Sequence, residues 1–465
     1  MEHPPPPPPP PRRHVAVCAF PFGTHAAPLL HLVKHLATAS PDTRFSFLNT
    51  ATSNSALFTK SDPSSNIIPC NLNEEEGGSR NGNPFVRFIE TAGVSFRRRM
   101  EVAEEEAGGV KISCVISDAF LWFCGEIVDE EKEKGNNLCS WIAVWTSNVA
   151  SISAAFHTDV LRTKYGVVKQ GIEGREDEVI DCVPGFSNIR VKDILDCVPG
   201  MLSETINSAF DQMTYKMALS LPKADGVVVN SFEKLSPTIT NDLKSKMKLL
   251  CIGPFPSIFP PQIVTDKYEC LPWLDKQKEK SVVYISFGTV ATPPPHEFLA
   301  LVEALEGGEF PFLWSMNDSN KGLLPLGFVD RVREDEAFGK IVEWAPQMKV
   351  LGHPSVGGFV THCGWNSILE SMVNGVPLIC RPMLGDQKVN QRFIESVFGV
   401  GVGLEGGVFT KSGAIKALHR VLSSDQGKEM RRNVQVLRGL AEESTKQGGS
   451  SIENLNALIK LVQSA

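Results

Sequence analysis

The sequence predicts an α/β protein with two doubly wound domains, each built on a parallel sheet, that face each other across a cleft. Three observations support this. Short, nearly continuous apolar runs alternate with stretches of helical periodicity, which is typical of parallel sheets covered on both faces. The chain has 465 residues, enough for two domains of ordinary size. A proline-rich stretch over residues 251–272 lies near its middle and is interpreted as a linker.

The composition argues against several classes of function. Hydrophobic residues make up 42% of the chain and charged residues 21%, as in a globular protein with a large core. The net charge of −7 argues against nucleic acid or an anionic membrane as the main partner. Neither a long apolar run nor a signal peptide is visible, so no membrane insertion is expected. Eleven cysteines without regular spacing indicate a reducing compartment, and we expect a cytoplasmic monomer.

The beginning of the chain predicts a tail followed by a first domain. In residues 1–13, eight consecutive prolines follow His3 and predict a disordered polyproline II tail, with a ligand for an SH3-like domain as the alternative. Residues 14–250 form the predicted first domain, with a polar loop over 74–83 and a helix over 85–106. Its predicted strands are His14–Phe20, one beginning with Phe45–Leu48, Ile112–Ser117, Trp141–Trp145 and Gly226–Val229.

Polar side chains follow three of these strands. His25 lies at the start of the helix after the first strand, and Asp118 and Thr146 directly follow two later strands. Because the carboxyl ends of parallel strands meet at one edge of a sheet, we expect the three side chains to lie together. An imidazole titrates close to working pH, and a carboxylate can hold its second nitrogen. His25 and Asp118 are therefore candidates for a general base and its orienting partner.

A second α/β domain is predicted over residues 273–440, followed by helices over 441–465. Its most informative part is the stretch Trp344–Gln387. Here a short strand is followed by a turn, by a helix with Asn366 and Ser367 as expected N-caps, and by a second buried strand. The helix amino terminus lies at the carboxyl end of a strand, where its N–H groups suit a phosphate. The strands predicted before this stretch are Ser281–Phe287, Phe310–Ser315 and Ile341–Glu343.

This stretch closely resembles the signature box of plant family-1 UDP-glycosyltransferases. The matching residues are Trp344, Gln347, His362, Gly364, Trp365, Asn366, Ser367, Glu370, Asp386 and Gln387. Outside the box, segments such as FPFGTHAAPLL, SDAFLWF and YISFGTVATPPP resemble flavonoid 3-O-glucosyltransferases. The resemblance implies the GT-B fold, with two Rossmann-like domains and a last helix that returns to the first of them.

The resemblance also implies an activity, the inverting transfer of glucose from UDP-glucose to a flavonoid or similar plant phenolic, such as an anthocyanin precursor. It assigns His25 and Asp118 as the base dyad and the second domain as the binder of the UDP-sugar. The chain contains no D-x-D motif, so we expect no metal, and no cofactor besides the co-substrate UDP-glucose. The expected donor-binding residues are Thr24, Thr146, Thr289, Trp344, Ala345, Gln347, His362, Gly364, Trp365, Asn366, Ser367, Glu370, Asp386 and Gln387.

The acceptor side departs from the flavonoid enzymes. Polar Gln, His and Gln positions of that family correspond, in an ungapped reading, to Phe85 or a neighbour, Ala155 and Leu195. An aromatic residue late in the box is replaced by Leu384. The acceptor, and even O- rather than C-glycosylation, therefore stays open. The expected acceptor-binding residues are Phe20, Phe22, Phe85, Phe120, Ala155, Leu195 and Leu384.

Two other classes of function compete with this interpretation. A nicotinamide-dependent oxidoreductase is one, since it would use the same doubly wound domains. The G-x-G-x-x-G match over Gly401–Gly406 argues against it, because Gly407 and Val408 follow the match and no helix is predicted there. An inactive lectin-like relative is the other, and an intact dyad and box argue against it. His31 and His35 have the spacing of a helical metal pair but lack the glutamate of a metalloprotease, so we expect them on a solvated helix face.

Overall fold

The computed structural model has two parallel sheets, one in each half of the chain. The predicted polyproline run and most of the predicted polar loop over 74–83 lie outside the described residues, as does part of the predicted linker. The structure describes residues 11–58, 66–72, 83–135, 140–168, 171–203, 205–260, 265–289 and 292–465.

The first sheet has seven parallel strands in the order β3-β2-β1-β4-β5-β6-β7. Chain order therefore reverses between β1 and β4, and the crevice beyond the carboxyl ends of two such strands is where open α/β sheets bind ligands. Five of the strands were predicted; β3 and β7 were not. The strands are β1 Arg13–Cys18, β2 Thr43–Asn49, β3 Ile67–Asn71, β4 Ile112–Asp118, β5 Ser140–Trp145, β6 Gly226–Val229 and β7 Leu249–Cys251.

Helices cover both faces of this sheet and continue into the predicted linker. Arg13, assigned from sequence to the tail, is already the first residue of β1. The stretch 251–272 contains α10 and part of α11. The proline in the first turn of α10 is tolerated there, because the N–H that it lacks would have no helical partner. The helices are α1 Ala26–Ala39, α2 Ala51–Leu57, α3 Pro84–Glu106, α4 Phe123–Glu133, α5 Val149–Phe156, α6 Thr158–Tyr165, α7 Val191–Ile194, α8 Ala209–Ser220, α9 Pro237–Lys244, α10 Phe255–Ile258 and α11 Cys270–Leu274.

The second sheet has six parallel strands in the order β10-β9-β8-β11-β12-β13, so its chain order reverses between β8 and β11. Ser286 pairs with Thr361 at the carboxyl ends of these two strands, which brings the loops after them together. The glycine-rich Gly401–Gly403 forms β13 itself rather than a phosphate loop. The strands are β8 Val282–Ser286, β9 Phe312–Ser315, β10 Gly339–Val342, β11 Val356–Thr361, β12 Leu378–Cys380 and β13 Gly401–Gly403.

The last helix, α20, packs back on the first sheet. Its buried residues Leu455, Leu458 and Val462 join the apolar cluster that contains Val15 and Phe45 of β1 and β2. Among the described residues, no helix is long and apolar enough to cross a membrane. The helices of the second half are α12 Pro295–Gly307, α13 Asp318–Lys321, α14 Leu326–Glu334, α15 Gln347–Leu351, α16 Trp365–Asn374, α17 Gln387–Arg392, α18 Lys411–Leu422, α19 Asp425–Thr445 and α20 Ser450–Ser464.

Candidate active site

His25 and Asp118 meet at the switch point of the first sheet. Asp118 is the last residue of β4, and His25 directly precedes α1, which follows β1. Nδ1 of His25 lies 2.8 Å from Oδ2 of Asp118, while Oδ1 of Asp118 accepts the N–H of Phe120 at 2.9 Å. Because an ionised carboxylate can only accept, the ring carries its proton on Nδ1 and presents a lone pair on Nε2. Thr146 Oγ1 also lies 3.2 Å from Nδ1.

The surroundings of His25 raise its pKa and so make its imidazole more basic than a free one. Burial alone would lower the pKa of His25, but the charge and hydrogen bond of Asp118 and the charge of Asp386 raise it, and the net shift is upward. The side chain of Asp118 is 1% exposed and that of His25 is 22% exposed, so the imidazole is the accessible member of the pair. This arrangement suits a base that takes a proton from a bound ligand.

Aromatic rings surround this imidazole. The ring centroid of His25 lies 5.3 Å from that of Phe20 and 5.1 Å from that of Phe120. Phe22 and Phe85 pack on Phe20 in turn, so all four predicted phenylalanines come together. Sequence reasoning missed three further rings of the same cluster, contributed by α3, β5 and α8. These are Phe88, Trp145 and Phe210.

The other predicted acceptor residues occupy different elements. Ala155 is 2% exposed inside α5, Leu195 directly follows α7, and Leu384 is 44% exposed before α17. Helix α7 faces α17, and Asp196 and Lys388 bridge them at 2.8 Å. Contact of these three residues with an acceptor stays a prediction.

A tight turn leads from β11 into α16 in the second domain. Cys363 has a φ of 66°, in the left-handed region that side chains rarely adopt. Gly364 is the N-cap, and a Cβ there would lie 2.3 Å from Nε2 of His362, so only glycine fits. Our expectation of Asn366 and Ser367 as N-caps was wrong. They lie inside the first turn, where backbone N–H groups have no helical partner and can meet an anion.

The ring of His362 lies between two glycines. Gly288 has a φ of 73°, and a Cβ on it would lie 3.0 Å from Cε1 of His362. Nδ1 of His362 is buried and has no partner among the described residues. Burial lowers the pKa of His362 to about 4, so the ring is neutral at neutral pH. His362 can therefore offer a hydrogen bond but no charge, and Thr289 follows Gly288 on an exposed loop.

Gln347, near the start of the signature box, is the centre of a second cluster of hydrogen-bonded side chains. Gln347 donates from Nε2 to Glu370 at 2.6 Å and to Ser367 at 3.2 Å, and its Oε1 accepts the hydroxyl of Tyr284 at 3.1 Å. Burial raises the pKa of Glu370, while the bond from Gln347 opposes that rise. The side chain of Trp344 is 46% exposed, so its flat face is open to a ligand. Sequence reasoning missed Tyr284, whose partner is far away in the chain.

Asp386 and Gln387 end the box beside the first domain. Ser147 donates to Oδ2 of Asp386, which also accepts from Asn390 at 3.3 Å. Burial raises the pKa of Asp386, and these two bonds and the charge of His25 oppose it. Oε1 of Gln387 accepts the N–H groups of Met383 and Leu384 at 2.8 and 3.1 Å, so this side chain braces its own loop.

The remaining predicted donor residues are placed as follows. Trp365 is 4% exposed, and its Nε1 donates to the carbonyl of Asn230 in the first domain at 2.7 Å. Its indole N–H is therefore already occupied. Ala345 is buried at 4% exposure, whereas Thr24 is exposed in the turn before His25.

Comparison with known proteins decides the family. A family model described as UDP-glucoronosyl and UDP-glucosyl transferase matches residues 266–442. The chain is 44% identical to a flavonol 3-O-glucosyltransferase of Actinidia chinensis var. chinensis, over 97% of each chain. The chain belongs to the UDP-glycosyltransferase family. It is also 44% identical to an anthocyanidin 3-O-galactosyltransferase of Rhododendron delavayi, again over 97% of each chain.

A solved structure extends the likeness of this UDP-glycosyltransferase to three dimensions. The crystal structure of UDP-glucose: anthocyanidin 3-O-glucosyltransferase in complex with UDP matches with a TM-score of 0.88 and 37% sequence identity. The match covers 98% of this chain and 99% of the other. The two doubly wound domains of the glycosyltransferase are therefore those of the GT-B fold, as the resemblance implied.

The described part of the glycosyltransferase contains no group of three or more His, Cys, Asp or Glu side chains arranged to hold a metal ion. His31 and His35 are exposed on α1, as expected.

One ion pair of the signature box had no signal in the sequence. Arg381, at the start of the loop that leads to Asp386, makes a two-pronged ion pair with the buried Glu297 of α12 at 2.7 and 2.5 Å. This pair fixes the beginning of the loop.

Proposed function

We propose that this glycosyltransferase transfers glucose from UDP-glucose to a hydroxyl of a flavonoid, with inversion at the anomeric carbon. The observation that carries the proposal is the bond of 2.8 Å between Nδ1 of His25 and Asp118, set among aromatic rings. The relatives that are named as flavonol and anthocyanidin 3-O-glucosyltransferases support the same class of acceptor.

The dyad does the proton chemistry in this proposal. The acceptor hydroxyl gives its proton to Nε2 of His25 while its oxygen attacks the anomeric carbon. The bond from that carbon to the diphosphate oxygen breaks, and UDP leaves with the electron pair. Asp118 holds Nδ1–H and stabilises the imidazolium that forms. Attack opposite to the leaving UDP converts an α-linked donor into a β-linked product.

The signature box is proposed to bind the donor. The amino terminus of α16 offers N–H groups and the positive end of its dipole to the diphosphate, and the neutral ring of His362 adds a hydrogen bond. Trp344 offers a flat face to uracil, and Glu370 accepts ribose hydroxyls. Asp386 and Gln387, at the end of the box, are proposed to hold the hexose. The proposal therefore assigns each part of the chain a role. Residues 14–250 bind the acceptor and residues 273–440 bind the UDP-sugar, while the helices over 441–465 return to the first domain.

The experiment that tests this function is incubation of the protein with UDP-glucose and a panel of flavonoids, followed by mass spectrometry. We expect hexosides of at least one flavonol or anthocyanidin. Hexosides of other aromatic alcohols alone would instead support another aromatic acceptor, and an acid-stable carbon-linked hexoside would support C-glycosylation. A panel without any hexoside would contradict the proposal.

The glycosyltransferase is expected to work without a divalent cation. The chain has no D-x-D motif, and the N–H groups at the amino terminus of α16 are proposed to offset the charge of the leaving diphosphate. Turnover measured with excess EDTA should therefore equal turnover without it. A loss of activity that magnesium or manganese restores would show that a cation carries this charge.

The donor sugar is expected to be glucose rather than galactose. By the family resemblance, Gln387 is the residue typical of glucose-using members, and a His at this position is typical of galactose-using members. Its Oε1 braces the loop through Met383 and Leu384, which leaves its amide nitrogen for the sugar. Gln387→His should weaken the preference for UDP-glucose, measured as kcat/KM for UDP-glucose against UDP-galactose. A wild-type preference for UDP-galactose would contradict this assignment.

The regiochemistry of transfer is expected to be loose. Ala155 and Leu195 correspond to polar positions that orient the flavonoid in the resembling enzymes, and each lost buried hydrogen bond is worth about 1 kcal/mol. The rings around His25 still hold a flat polyphenol through apolar contact. NMR of the products from quercetin and kaempferol should reveal a major glucoside with minor isomers. A single 3-O-glucoside would mean that the lost polar groups do not matter.

A further inference from the structure

Two fully buried asparagines join the domains beside the proposed sugar site, and the mechanism above does not use them. Asn148 caps α5 in the first domain, Asn390 lies on α17 in the second, and both are 0% exposed. Nδ2 of Asn148 donates to Oδ1 of Asn390 at 3.2 Å, although 242 positions separate the two residues. An amide buried this deeply is costly unless it is hydrogen-bonded, so the pair is held by its partners.

Asn390 is bonded through both ends of its amide. Its Nδ2 donates to the carbonyl of Cys363 at 3.1 Å and to Oδ2 of Asp386 at 3.3 Å, while its Oδ1 accepts from Asn148. Because a carbonyl and a carboxylate only accept, the orientation of the amide is fixed. Ser147 donates to the same carboxylate oxygen. Asn390 therefore connects the turn before α16, the carboxylate at the end of the box and the first domain.

Asn148 is held in turn by the segment that neighbours the dyad. Its Oδ1 accepts the N–H of Ala150 at 3.0 Å, and its carbonyl accepts Nε1 of Trp145 at 3.0 Å. Thr146, two residues earlier, lies 3.2 Å from Nδ1 of His25. The short backbone segment 146–148 thus contacts the base through Thr146 and contacts Asp386 and Asn390 through Ser147 and Asn148.

We propose that Asn390 is a positioning residue that sets the carboxylate of Asp386 at the correct place relative to His25, and that Asn148 completes this link across the domains. The inference rests on the proposed function, because it takes Asp386 to accept hydroxyls of the hexose. Asn390 itself need not touch the sugar. Its loss should weaken binding of the hexose far more than binding of uracil, ribose and diphosphate.

The test compares Asn390→Ala, Asn148→Ala and the double variant with the wild type. Calorimetry without acceptor measures the affinities for UDP and for UDP-glucose, and melting temperatures check the fold. Asn433→Ala is the matched control, since its amide also donates to a backbone carbonyl, that of Gly399 at 2.9 Å, but not to Asp386. We expect Asn390→Ala to bind UDP-glucose on the order of tenfold more weakly, with affinity for UDP changed less than about twofold.

The double variant adds a second criterion. Because both single changes remove the bond between the two asparagines, their effects on affinity for UDP-glucose should not add. The inference would be overturned if Asn390→Ala lost equal affinity for UDP and UDP-glucose, or kept its affinity for UDP-glucose. It would also be overturned if the losses of the two single variants added in the double variant. A wild-type protein that binds UDP but not UDP-glucose would contradict the proposed function itself, and the inference with it.

Discussion

Replacing His25 by alanine should remove most turnover and leave the affinity for UDP unchanged. Nδ1 of His25 is held by Asp118 at 2.8 Å, and in the proposed mechanism its Nε2 takes the proton of the acceptor. A positioned general base contributes roughly 10²- to 10⁴-fold to a reaction rate, so kcat should fall within that range. The nucleotide is proposed to bind the second domain instead, so UDP affinity measured by calorimetry should stay at the wild-type value.

His31 provides the matched control for this experiment. It lies on the same helix, α1, but is exposed, and its replacement by alanine should leave kcat unchanged. Wild-type turnover in His25→Ala would falsify the assignment of the base. A parallel loss of UDP binding in His25→Ala would show damage to the fold in place of a loss of proton transfer.

Asp118→Asn should lower the rate and also move its pH dependence in a defined direction. In the wild type, burial lowers the pKa of His25 but Asp118 raises it, with a net upward shift. Because a general base works only when deprotonated, kcat/KM should fall as pH drops through the pKa of His25. Removing the carboxylate removes the largest cause that raises this pKa. The acid limb of the profile should therefore move to lower pH in the variant.

The plateau of the Asp118→Asn profile should also be lower, by a factor on the order of 10² or more, because the imidazolium loses its stabilising charge. Asp129→Asn changes an exposed carboxylate on α4 and serves as control for the loss of one negative charge. An acid limb that stays in place, or moves to higher pH, would mean that Asp118 does not act on the titration of the base.

The sequence was informative where function follows the ends of apolar strands. His25 and Asp118 were predicted to meet because parallel strands share one carboxyl edge, and the structure places them 2.8 Å apart. Phe20 and Phe22 were expected to bind the acceptor, and Phe20 packs on the imidazole while Phe22 packs on Phe20. In these cases, local pattern and sheet geometry were enough to place the side chains.

Contacts between distant segments could not be predicted in this way. The pairing of Asn148 with Asn390 depends on how the two domains meet, and neither residue stands out in its own segment. The N-cap of α16 was misplaced because Asn and Ser are usually good caps. The left-handed Cys363 turns the chain earlier, and the helix is capped at Gly364, two residues before Asn366. Phe210 was missed because nothing in α8 indicates that its first turn faces Phe120.

The most direct test of the account is the configuration of the first product formed from UDP-glucose and quercetin by the wild-type protein. Proton NMR of the early reaction should reveal a β-linked glucoside and one equivalent of free UDP for each glucoside, as a single displacement with His25 as base requires. An α-linked glucoside, or a protein that carries covalently bound glucose, would contradict it.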